Sequence, residues 1–107
     1  MTIQELLTES PIPAQYGVMD EAIDPPFIVY LGMQPDVFAA DNIPYVKYQS
    51  YRIEYYFKNK NESLENQLED LLKSDGWFFT RSDDVYIESE NMFVIYYYIE
   101  RIQNYGN

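Results

Sequence analysis

The residues with chemistry to offer in this 107-residue chain are its carboxylates. They recur in pairs: Asp20 with Glu21, Asp83 with Asp84, and Glu88 with Glu90. Paired carboxylates can hold a hard cation such as calcium or magnesium, or divide general-acid and general-base work as in glycosidases. Glu88 and Glu90, two apart on an expected strand, would share a face. None of these pairs sits in a ligand-spaced loop with a glycine turn, so the reading is a solvated acidic rim, with no metal or cofactor expected. Histidine and cysteine are both absent. That removes the commonest base near neutral pH, the commonest zinc ligand, any thiol nucleophile and any disulfide framework. A glycine-rich phosphate loop is also missing. The expectation is a protein that is not an enzyme, against the alternative of a carboxylate enzyme.

Charge narrows the partners. Eighteen acids against seven bases give a net charge of −11. Phosphate recognition needs clustered Lys and Arg, and anionic membranes attract the same residues. No nucleic-acid binding and no membrane docking are therefore expected. The aromatic fraction, 18% with twelve tyrosines, is too high for disorder and favours strands. A base-stacking platform would need a basic groove beside its aromatics. The seven cations are scattered and outnumbered, which rules that reading out. The start, Met1-Thr-Ile-Gln-Glu5, lacks a basic head and a long apolar run, so no signal peptide is expected, and no stretch is long enough to span a bilayer.

The elements that must position these residues form one domain over 1–107. Its organising stretch is Asn91–Ile102. Phe93, Ile95, Tyr97 and Ile99 point to one side of a strand, and Met92, Val94, Tyr96 and Tyr98 to the other. Both sides are apolar, so both should be covered, one by helices. The second is covered either by another subunit or by the interior of a monomer. Upstream, Thr2 and Glu5 have the form of a capping box for a short helix over Ile3–Glu9, stopped by Pro11 and Pro13. Ala14–Asp24 shows no clear period. Pro25-Pro26 leads into a first strand, Phe27–Leu31. Gly32–Pro44 is rich in turn residues yet carries Val37 and Phe38. That loop either folds onto its own core or inserts Phe38 into a neighbour.

Tyr45–Phe57 reads as two extended pieces or one bent strand. Tyr51, Ile53, Tyr55 and Phe57 form its buried side; Ser50, Arg52, Glu54 and Tyr56 form the wetter one. Asn61 caps a helix over Glu62–Ser74, with Leu64, Leu68, Leu71 and Leu72 inward and Glu65, Glu69, Asp70 and Lys73 outward. Gly76 suits its C-terminal cap. Trp77–Thr80, then Val85–Glu88 and the last strand, predict a β-meander. The fold class is α+β: a twisted, mostly antiparallel, mixed sheet with two helices on one face.

Five stretches together resemble a known group: Pro26–Tyr30, Phe38–Asn42, Tyr48–Phe57, the Glu62–Leu72 helix and Tyr86–Phe93. From about Pro25 to Ile99 the chain is similar to the tail-terminator (tail-completion) proteins of long-tailed phages and prophages of Gram-positive bacteria, themselves similar in fold to the phage lambda tail terminator. The resemblance implies a structural virion protein without catalytic residues. It implies a homo-oligomer, a hexameric ring in the virion that can be monomeric when free. The ring would sit on the major tail tube protein and face the head-completion protein, after assembly in the host cytoplasm. Val37 and Phe38 are then expected at the next subunit, with Tyr96 and Tyr98 on the receiving or tube-facing sheet. Two alternatives stay open: another neck ring protein, a connector or stopper, and a small acidic DNA-mimic inhibitor.

Overall fold

A computed structural model describes residues 1–19, 23–34 and 46–104. The first helix, α1 (Ile3–Thr8), is started by the expected capping box. The Glu5 amide donates to Thr2 Oγ1 at 3.1 Å, and the Thr2 amide donates to Glu5 Oε1 at 2.8 Å. Two otherwise orphaned helix donors are thereby satisfied. Ile3, Leu6 and Leu7 turn inward and are buried.

Next comes a short strand, β1 (Ala14–Tyr16), parallel to β2 (Phe27–Gly32). The sequence shows no period at β1 because three residues at a sheet edge need no alternation; Ala14 and Tyr16 are exposed. β2 runs antiparallel to β3 (Val46–Phe57), which is one continuous strand, and β3 runs antiparallel to β6 (Met92–Asn104). Between them, α2 (Glu62–Ser74) starts where Asn61 Oδ1 accepts from the Leu64 amide at 3.2 Å. It ends before Gly76, whose φ of +82° only glycine adopts without strain.

β4 (Phe78–Arg81) and β5 (Val85–Ile87) correct the expected meander. They do not pair with each other. Both pair antiparallel with β6, as two halves of one interrupted edge strand. Arg81 is opposite Tyr97 and Val85 opposite Val94, so Ser82, Asp83 and Asp84 face only Ile95 and Tyr96. This is a bulge, and its cause is local. The Ser82 amide donates to the Tyr96 carbonyl at 2.9 Å, and Ser82 Oγ accepts from the Tyr96 amide at 2.9 Å. The hydroxyl stands in for a backbone carbonyl, so two strand-averse aspartates pass without breaking the ladder. A second correction follows: Glu88–Glu90 is a single exposed 3₁₀ turn, closed by Asn91 in the left-handed region, and not a strand with both carboxylates on one face.

The sheet order is β1-β2-β3-β6-β4, with β5 also beside β6. This six-stranded, mostly antiparallel mixed sheet carries both helices on one face, the α+β architecture the sequence predicts. The core lies between them, where Ile3, Leu6, Leu7, Leu68 and Leu72 meet Ile28, Ile53, Tyr55, Phe57, Ile95 and Tyr97.

Candidate protein-contact surface

Strand alternation leaves a second sheet face, and its composition is unusual for a surface. Phe27, Val29 and Leu31 from β2, Tyr56 from β3, Val94, Tyr96 and Tyr98 from β6, and Phe78 from β4 all share it by register. No described residue forms a helix over it. Small side chains between large ones are nonetheless dry: Val94 and Val29 are buried, while the Phe27 and Tyr56 rings stack beside them at 5.0 Å. The open part lies toward the β4 edge. Phe78 is 74% exposed and Tyr98 44%. With Met33, Ser50, Thr80 and Glu100 they line a groove of about 400 Å³.

The polar residues at the centre of this face are satisfied by one another. Arg52, Glu54 and Tyr56, two apart on β3, point the same way. Arg52 Nε donates to Glu54 Oε2 at 2.9 Å, its Nη2 lies 2.9 Å from the same oxygen, and the Tyr56 hydroxyl donates to Glu54 Oε1 at 2.6 Å. Burial, and then the bond to the Glu54 carboxylate, push the Tyr56 hydroxyl well above the usual tyrosine range. Glu54 is only 8% exposed. The sequence placed it on the wetter side of the strand; the forked Arg52 contact and Tyr56 are what allow its burial.

A second polar cluster lies on the helix side. Glu65, expected on the outer face of α2, is 3% exposed. Arg81 Nη1 reaches Glu65 Oε1 at 3.1 Å and Glu69 Oε2 at 2.9 Å; Lys60 Nζ reaches Glu65 Oε1 at 3.0 Å and Asp84 Oδ2 at 2.9 Å. The Tyr97 hydroxyl donates to Glu69 at 2.7 Å, and burial, then that bond, raise its pKa well above the usual range. Tyr55, also fully buried, finds no hydrogen-bond partner for its hydroxyl among the described residues; burial, then the charge of Glu65, raise its pKa too. The cations hold Glu65 in place and tie α2 to the bulged edge. Glu65 Oε2 accepts no hydrogen bond among the described residues but lies 2.8 Å from the Lys60 ammonium, so its charge is paired. Among the described residues no group of three or more carboxylates could hold a metal ion, and no helix is long and apolar enough to cross a membrane.

Of the expected contact residues, Tyr98 is exposed on the open face and Tyr96 half-buried beside it. Val37 and Phe38 lie outside the described residues. Sequence reasoning missed Phe78, the most exposed large aromatic of the face. Its signal was parity: opposite Glu100, it must share a face with Tyr98, and the Trp77-Phe-Phe79 run hid which ring faced in. It also missed the polar trio, legible as Arg, Glu and Tyr spaced i, i+2, i+4 on a strand.

Compared with known proteins, the chain matches no family model and no curated protein sequence.

Proposed function

We propose that this chain is a structural protein of a long-tailed phage or prophage, a tail terminator. Its copies close a ring, six in the virion, on the end of the tail tube and join it to the head-completion complex. The observation that carries the reading is the open sheet face. An aromatic face with no helix over it among the described residues, and with its central charges already paired, suits burial against a partner protein such as the tail tube, since large exposed apolar patches are rare on monomers. Aromatic anchors bury area with little entropy loss, which suits such contacts. A net charge of −11 suits a ring through which DNA slides without adhering. The role requires no catalytic residue, and Glu65, Glu69 and Asp84 are held in ion pairs that tie α2 to the sheet edge.

The test is removal of the gene from the phage that carries it. Tails of irregular, excess length that do not join heads are the expected result. Tails of normal length beside unjoined heads would assign the chain to another neck ring, a connector or stopper. Normal tails joined to heads would end the virion reading altogether.

A further inference from the structure

We propose that the open sheet face receives a basic amphipathic helix from a different protein, not a second copy of this chain. The inference rests on the reading of this face as a contact surface and names what covers it. The other face shows what the sheet does with apolar surface: it packs helices across it. A helix on the second face completes a helix–sheet–helix sandwich. The apolar rows run from Val85, Val94, Tyr56 and Phe27 to Phe78 and Met33, three pairs of residues along the strands, about 20 Å. A helix of about 14 residues matches that length.

Charge decides the occupant. The face itself carries Glu100, beside the self-paired Arg52 and Glu54. The turns at the Phe27 end expose Asp24, Glu88 and Glu90 against the ammonium groups of Lys58 and of Lys60, the latter already paired with Glu65 and Asp84, and Asp83 is exposed at the bulged edge. The surround is therefore acidic. A second copy is ill-equipped to answer it. Arg52, Lys60, Arg81 and Arg101 are engaged in ion pairs within the chain. Of the seven cations, Lys58 and Lys73 are the ones with described side chains outside such pairs, and Lys73 sits over the Phe79 ring on the helix side; Lys47, whose side chain is not described, belongs by strand register to the helix side as well. Like charges brought together at an interface oppose its formation. The complementary partner has leucine-like residues at i, i+3, i+4 and i+7 and lysine or arginine on its flanks.

The experiment uses the full chain and two probe peptides of about 14 residues, one of leucine and lysine in that pattern, the other with glutamate for lysine. Binding is followed by anisotropy and mapped by amide NMR shifts. The lysine peptide should bind and shift amides of Met33, Ser50, Thr80 and Tyr98. Phe78→Ser with Tyr98→Ser should weaken it at least about tenfold, and Glu100→Lys several-fold, with unfolding midpoints unchanged. Shifts confined to the outer face of α2, or binding indifferent to these variants, overturns the proposal. So does equal binding of the glutamate peptide. So does a dimer of the free chain, seen by light scattering and abolished by Phe78→Ser with Tyr98→Ser, since the second copy would then hold the face. The tail-length assay does not read the partner's charge, so this inference and the terminator reading fail separately.

Discussion

Glu65 and Arg81 are bonded to each other, yet removing one should cost far more than removing the other. Glu65 is the buried member, with a side chain 4% exposed, while Arg81 is 32% and Lys60 43% exposed. Glu65→Met takes away the buried charge. The two cations it leaves still reach Glu69 and Asp84 and still touch water. Removing one member of an ion pair is costly when it strands a buried charge; here the cations left behind are partly exposed and still paired, so the expected change is within about 1 kcal/mol. Arg81→Met does the reverse. It strips Glu65 and Glu69 of a shared partner and leaves Glu65 buried with Lys60 alone. Stranding a buried charge costs about 3–5 kcal/mol. Lys60 remains at 2.8 Å from Glu65 Oε2, which brings the expectation to about 2–3 kcal/mol. Trp77 is the single tryptophan and is buried under the Arg101 guanidinium, 4.2 Å from the ring centre, so its fluorescence reports unfolding in urea. The two variants should share one m-value and separate in midpoint, Arg81→Met the lower. If Glu65→Met lost as much stability as Arg81→Met, the cluster would be held by the anion's attraction, not by the need to satisfy it, and the reasoning would be wrong.

Leu68 is fully buried at the middle of α2, so Leu68→Ala should cost about 2–5 kcal/mol; an unchanged urea midpoint would mean that the helix does not pack on the sheet as described. Tyr97 gives a pH dependence with a definite sign. Its folded pKa lies above the unfolded value of about 10, so its contribution is complete below pH ~10 and is lost as pH rises toward the folded value. Unfolding titrations between about pH 9 and 11 should show a stability slope shallower in Tyr97→Phe than in the wild type, by up to about 1.4 kcal/mol per pH unit; equal slopes would contradict it. On the open face, Phe78→Ser and Tyr98→Ser should each leave the free chain within about 0.5 kcal/mol of wild type, because exposed side chains stabilise little. A loss of several kcal/mol there would show that the free chain already buries these rings.

What could be read from the sequence is what depends on neighbours along the chain. The Thr2–Glu5 capping box, the Asn61 cap, the leucine stripe of α2 and the alternation of β3 are local patterns, and each became the element it predicts. The readings that failed depend on partners far away. Glu65 looks solvated by its place on the helical wheel; Arg81, sixteen residues on, and Lys60 bury it. Val85–Ile87 looks like the next strand of a meander; the Ser82 hydroxyl keeps the chain on the same side of β6 instead. β1 exists because β2 offers it an edge, which no period of three residues can announce. For the contact surface, the aromatic load of β6 was visible, while the paired state of Glu54 required the geometry of β3.

That pairing carries the functional argument furthest. A sheet face of Phe27, Tyr56, Tyr96, Tyr98 and Phe78 that also held isolated charges would resist being covered, because each uncompensated charge must be desolvated. Here the three polar side chains in the middle bond to one another before any partner arrives. Bringing protein over Glu54 removes little hydration that has not already been given up, since it is nearly dry in the free chain, and Arg52, with a side chain 36% exposed, keeps its carboxylate partner when covered. The remaining cost falls on Glu100 and the acidic turns, which lie where a flanking cation can meet them. The face is thus permissive at its centre and selective at its border. Specificity for a basic partner then comes from the rim, and the area that supplies affinity comes from the rings.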